Sequence, residues 1–170
     1  SDGSLHAVWW DGARIVGRSA IDGRTFGPAI RLNSIAAATG VSMATDGDTP
    51  HVVYADAQGA CAFGHSGPDL LPLHERQTIY CSETLLTIQW PSVAIAPGGF
   101  PWIVFRSYIV VDGQETFPVF VLPSDSHGWS EPIVISTAEQ QATSGVGSTG
   151  ALFFPGNRAL VLHTGKALYA

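Results

Sequence analysis

The sequence predicts an all-β fold, a β-propeller of four-stranded antiparallel blades, on three observations. An aligned hexamer occurs four times, a tight-turn signal precedes each copy, and charged residues are scarce. The hexamers are Leu5-His6-Ala7-Val8-Trp9-Trp10, Pro50-His51-Val52-Val53-Tyr54-Ala55, Pro101-Trp102-Ile103-Val104-Phe105-Arg106 and Arg158-Ala159-Leu160-Val161-Leu162-His163. Each has valine in fourth place, and Val8, Val53, Val104 and Val161 follow one another at 45, 51 and 57 residues. Blades recur at about 40–50 residues, and loop insertions account for the excess.

The turn signals are Ser1-Asp2-Gly3-Ser4, Asp46-Gly47-Asp48, Pro97-Gly98-Gly99 and Pro155-Gly156-Asn157. Short apolar runs at 41–45, 92–96 and 150–154 stand before three of them, so each pair reads as a hairpin of strands A and B. Strand C follows at 13–20, 60–65, 118–122 and 166–169, and strand D at 29–33, 77–81 and 132–136. The blades therefore span about 1–34, 41–82, 91–136 and 148–170, fourteen strands in three and a half blades. A β-sandwich also uses short strands and frequent turns, but it does not repeat an aligned hexamer. An open arc leaves unpaired edges. The chain is thus expected to be part of a larger propeller, or to be completed by a second copy or second chain into a ring of about seven blades. Closure alone as a four-bladed ring would be strained.

Hydrophobic residues make up 45% and charged residues 13%, against about 25% charged in an ordinary domain. Strands buried on both faces explain that deficit. A net charge of −6, with Lys166 the sole lysine, excludes a phosphate-binding surface and hence nucleic acid. No apolar stretch reaches the roughly 20 residues of a membrane helix, so no membrane insertion is expected. The given sequence contains no signal peptide or lipidation motif, and a mature, trimmed or fragmentary chain of extracellular or cell-surface type is expected.

The C–D turns carry a more specific pattern. Ser19-Ala20-Ile21-Asp22-Gly23-Arg24-Thr25-Phe26 precedes a short Pro28-containing strand, and Ser124-Asp125-Ser126-His127-Gly128-Trp129 precedes another with Pro132. These resemble the Asp-box of sialidase-like repeat proteins, which runs Ser-x-Asp-x-Gly-x-Thr-Trp. Ser19, Gly23, Thr25 and Phe26 match it, with Asp22 one place late. Ser124, Asp125, Gly128 and Trp129 keep its turn and aromatic, and the second blade lacks a copy. The resemblance implies a propeller and a structural role for these turns, on the face opposite an active site. The polar groups bond within the turn, glycine supplies positive φ, and the aromatic packs between blades.

If A–B and C–D turns share one rim, the B–C and D–A connections share the other. Those connections, at 33–40, 82–91, 107–117 and 137–147, are longer and more varied, which marks their rim as the functional one. Its candidate ligand-binding residues are Trp10, Asp11, Asp56, Glu83, Trp90, Arg106 and Tyr108, with Asp112 and Glu115 beside them. Aromatic faces, carboxylates and an arginine suit a sugar ligand. The resemblance implies, for an enzyme, an arginine cluster, a Tyr–Glu pair and an acid; Arg106, Tyr108, Glu115 and Asp56 are the catalytic candidates. The family's Arg-Ile-Pro motif is absent, since Arg14-Ile15 is followed by Val16. Each of these residues also has a plain reading as solvated surface or packing.

His6 and His51 share one hexamer position, but the spacing of metal-binding histidines is missing, so neither a metal nor another cofactor is expected. Cys61 opens strand C of the second blade and Cys81 closes strand D, which brings the thiols within disulfide reach. That bond is expected to replace the missing Asp-box as the clamp on its blade. A glycan-binding sialidase-like module is the first functional reading. An exo-sialidase-type glycoside hydrolase and a protein-interaction scaffold are the alternatives.

Overall fold

A computed structural model describes residues 3–32, 40–47, 49–55, 61–66, 77–81, 87–136, 149–154, 158–163 and 167–169. Among these residues there is no helix, and all strand pairing is antiparallel. Four sheets follow one another in chain order. The first contains β1 (Leu5–Trp10), β2 (Ile15–Ala20) and β3 (Ile30–Arg31). The second contains β4 (Val41–Asp46), β5 (Thr49–Ala55), β6 (Cys61–Ser66) and β7 (Gln77–Cys81), in that order.

The third sheet is built around a long strand, β9 (Pro101–Val111). On one side it pairs with β8 (Thr87–Ile95), and on the other with β10 (Gln114–Thr116) and β11 (Val119–Leu122). The two-residue hairpin of β12 (Ser124–Asp125) and β13 (Gly128–Trp129) leads to β14 (Ile133–Val134), which pairs with β11. The fourth sheet has the order β15 (Thr149–Phe154), β16 (Arg158–His163), β17 (Ala167–Tyr169).

All four hexamers are strands, and each central valine faces an equivalent partner. Val8 and Val53 lie opposite Gly17 and Gly64 of the next strand, and Val104 and Val161 opposite Val121 and Leu168. On the preceding strand the partners are Ser42, Ser92 and Ala151, all small. The first strands of successive sheets also lie against one another, β4 on β8 and β8 on β15, while β1 lies against β4. Sheets arrayed side by side in this way bury both faces.

Strand β5 shows the consequence, because side chains alternate across a strand. Val53 and Ala55 join Ile103, Phe105 and Phe120 in one apolar cluster between the second and third sheets. Val52 and Tyr54 join Ile15 and Leu32 in another, between the first and second. Phe105 and Phe120 are cross-strand partners with rings stacked at 5.3 Å. Burial of a side chain of this size stabilises by about 1.5–3 kcal/mol. The scarcity of charge follows from this architecture.

Two elements depart from the sequence expectation. Residues 107–117 are not an open loop: β9 continues to Val111 and turns back as β10. The turn is Asp112-Gly113, with φ of 51° and 75°, the left-handed pair that a two-residue type I′ hairpin requires. Strand A of the third sheet is also longer than 92–96, starting at Thr87 and accommodating Pro91 in a bulge between Gln89 and Ser92. A bulge releases proline from the ladder, which is why it does not end the strand. Conversely, the fourth strands are shorter than expected, two residues each in β3 and β14.

Cys61 and Cys81 are joined, with Cα atoms 4.2 Å apart, as the cross-strand pair that opens β6 and closes β7. This bond lies at the end of the hairpin remote from its C–D turn. It therefore ties the opposite rim and does not stand in for the missing Asp-box.

Candidate functional site

The two Asp-box turns are built as backbone clamps. Asp22 Oδ1 accepts from the Arg24 and Thr25 amides at 2.9 and 2.8 Å, and these bonds hold its carboxyl below the usual range. The Gly23 amide donates to the Ala20 carbonyl and the Gly27 amide to that of Ser19. Gly23 has φ 68°, and a Cβ there would stand 2.5 Å from the Gly3 carbonyl oxygen. No other residue type fits. In the second turn Asp125 Oδ1 accepts from the His127 amide at 2.7 Å, and Ser130 N donates to Pro123 O.

The box serines connect to the second residue of the hexamer. Ser19 Oγ lies 2.8 Å from His6 Nδ1, and the Ser124 carbonyl accepts from Trp102 Nε1 at 3.2 Å. Ser124 Oγ also donates to Pro101 O at 2.5 Å. The aromatic residues differ from expectation in one case. Trp129 packs against the cluster between the second and third sheets, but Phe26 is 42% exposed. The first box keeps its turn while its aromatic stands partly in solvent.

The opposite rim carries the candidates Arg106, Tyr108 and Glu115. Alternation puts Arg106, Tyr108 and Val110 on one face of β9. Tyr108 Oη donates to Glu115 Oε1 at 2.8 Å, which raises the phenol above its ordinary value. The Tyr108 ring lies 5.5 Å from Phe117, and the Arg106 guanidinium carbon 5.1 Å over the same ring. Two of the four catalytic candidates, Arg106 and Tyr108, thus meet at Phe117, which was not among the candidates, and Glu115 joins them through Tyr108. The signal for Phe117 was the hairpin: once Asp112-Gly113 turns the chain, the register brings it opposite Tyr108 and diagonal to Arg106.

Arg106 has no solvent exposure, and burial lowers its pKa. The guanidinium stays charged, so it supplies positive potential and supports the aromatic ring from below. It does not present itself to solution. Tyr108 and Glu115 form the accessible part of the group.

Cross-strand pairing puts Gln89 beside Arg106, and Gln89 Oε1 is enclosed without a donor among the described residues. The next residue is Trp90, 40% exposed and at φ 53°. Its ring rests on the backbone of Gly40, where a Cβ would meet Trp90 Cε3 at 3.6 Å. Left-handed backbone at a large non-glycine residue costs on the order of 1–3 kcal/mol and clusters at functional positions.

The remaining candidates are dispersed. Trp10 is 49% exposed at the end of β1. Asp11 is committed to the following turn, its Oδ1 accepting from Ala13 N at 2.9 Å and Arg14 N at 2.7 Å, with its carboxyl held low in consequence. Both share the rim of Arg106 but lie two sheets away. Asp112 forms the hairpin turn. Asp56 and Glu83 lie outside the described residues. His6 is bonded to Ser19 and Ser4, while His51 is half-buried on β5. Among the described residues no cluster of three metal-binding side chains occurs.

Taken together, these features define an all-β protein of repeated antiparallel sheets with an Arg–Tyr–Glu group at one rim. Its architecture is similar to the crystal structure of a thermostable family-43 glycoside hydrolase, at a TM-score of 0.65 and 9% sequence identity. The likeness covers 96% of this chain and 60% of that one, and it shows a propeller-type fold. No family model matches the sequence. No curated protein matches it either.

Proposed function

We propose that this chain is a carbohydrate-directed propeller module, sialidase-like in its repeat turns, that acts mainly by binding a glycan at the rim carrying Tyr108 and Glu115. The observation behind this reading is the contact of Arg106, Tyr108 and Glu115 through Phe117 and the Tyr108–Glu115 bond, with the exposed Trp90 next to Gln89, the cross-strand partner of Arg106. Exposed aromatic faces stack on pyranose rings, and a phenol–carboxylate pair offers both donor and acceptor to hydroxyls. The propeller-type fold shared with a glycoside hydrolase supports a carbohydrate-related role. An extracellular or cell-surface location belongs to the same proposal, and the Cys61–Cys81 bond is compatible with it.

The second reading is a glycoside hydrolase of exo-sialidase type, favoured by the direct Tyr108–Glu115 hydrogen bond. Besides a Tyr–Glu pair, the sialidase resemblance calls for a separate acid, and the candidate Asp56 lies outside the described residues, so binding ranks first. A glycan array and a fluorogenic sialoside assay discriminate the readings. Saturable glycan binding without turnover, weakened about tenfold in Tyr108→Phe or Trp90→Ala, is the expected result. Turnover abolished by Glu115→Gln establishes the hydrolase, and silence in both assays removes the carbohydrate reading altogether.

A further inference from the structure

We propose that the cleft between the second and third sheets is a binding site for a single neutral pyranose ring, separate from the Tyr108–Glu115 rim. The cleft encloses about 170 Å³ and opens on the rim of the A–B and C–D turns. That volume is below the roughly 300–1,000 Å³ of sites for drug-sized ligands, so one ring fits and a chain does not.

Its base is apolar, formed by Val53, Val93 and Ile103 of the core cluster. Trp129, half-buried on β13, contributes an aromatic wall, and His51, Gln77 and Asp125 contribute polar groups. An aromatic surface with a few directional polar groups at its edge is how proteins hold a sugar, which has an apolar face and a hydroxylated perimeter.

Three further observations point to a ligand. First, His51 occupies the hexamer position at which His6 and Trp102 bond to box serines, and in the second sheet, which lacks a box motif, its half-buried ring lines the cleft. Second, among the described residues no lysine or arginine lines the cleft, while Asp125 does. Burial also lowers the pKa of His51, against the opposing influence of Asp46, which keeps the ring neutral at pH 7. An acidic sugar would meet the Asp125 carboxylate. Third, the space depends on Gly64: a Cβ there would stand 2.6 Å from Ile79 Cδ1 and 3.3 Å from the Val52 carbonyl oxygen. Any larger residue would push Ile79, itself part of the wall, out of place.

The test is a two-dimensional NMR titration of the ¹⁵N-labelled chain with methyl glycosides of glucose, galactose and mannose, and with N-acetylneuraminic acid. The expected result is saturable shifts at the Trp129 indole and at the amides of His51, Gln77 and Gly128 with one or more neutral glycosides. Trp129→Ala should weaken binding about tenfold or more. His51→Ala and Gln77→Ala should each weaken it severalfold with an otherwise native spectrum, and they decide the matter if Trp129→Ala does not fold. The proposal is overturned if no neutral glycoside shifts these signals, if His51→Ala and Gln77→Ala bind like the parent, or if the acidic sugar binds there equally well. Shifts confined to Tyr108 and Glu115 would also overturn it, and would leave the other rim's function standing.

Discussion

At the second place of the hexamer, His6, His51 and Trp102 show one position doing different work in three sheets. His6 and Trp102 hold the C–D turn, whereas His51 is left half-buried with a lowered pKa. Its folded pKa is below the ordinary 6.5, so the unfolded chain binds the proton more readily. Stability from this group is present above about pH 6.5 and declines as pH falls through the lower folded value. Thermal melts between pH 5 and 8 should show that decline, and His51→Gln should flatten it over the same range. The turn residues were legible in the sequence because Asp, Gly and Ser have few other reasons to occur at that spacing. The fate of their aromatics was not: Phe26 and Trp129 fill the same motif place, and the sheet beside them, not the motif, decides which is covered. Arg106 is a similar case. Its position near Tyr108 could be read from alternation, but its enclosure follows from Phe117 folding back over it.

The strands themselves were largely legible, since turn signals bracket short apolar runs. Residues 107–117 were misjudged because length was read as irregularity, although Asp112-Gly113 is a strong hairpin signal. Both turn residues have positive φ. Gly113→Ala should therefore cost about 1–2 kcal/mol in chemical denaturation, from left-handed strain alone. The same substitution should weaken glycan binding, because β10 carries Glu115. Pro91 misled in the same manner: a proline read as a strand boundary sits in a bulge that the ladder passes around. The disulfide was visible from strand order, yet its placement in the hairpin assigns it the loop-closing role and not the turn-clamping one. With the cysteines 20 positions apart, Cys61→Ser with Cys81→Ser should cost about 3 kcal/mol on loop-closure grounds. Unfolding with and without reductant measures it.

Across the molecule, the two main apolar clusters among the described residues are each shared between neighbouring sheets, the first with the second and the second with the third. Phe105, stacked on Phe120 and buried in the cluster shared with the second sheet, is central to that arrangement. Phe105→Ala should cost about 3–5 kcal/mol and lower the stability of the second and third sheets together. Hydrogen exchange that reported loss of protection in the third sheet alone would contradict this. The succession of antiparallel sheets was legible from the fourfold repeat, because equivalent strands need equivalent surroundings. Which rim residues meet was not, since sheets two apart share a rim without sharing a site, as Asp11 and Glu115 do.

The bonds that join each box serine to the hexamer carry one more implication. They pin the sliding position of neighbouring strands from a single end, as a zip is held at its base. The far ends are then at liberty to lengthen, which is how an eleven-residue β9 with an added hairpin coexists with the short turn at Asp11. New segments grafted at Asp112-Gly113 should therefore leave the pairing of β9 with β11 in place, making this hairpin tip the natural point at which to diversify the molecule.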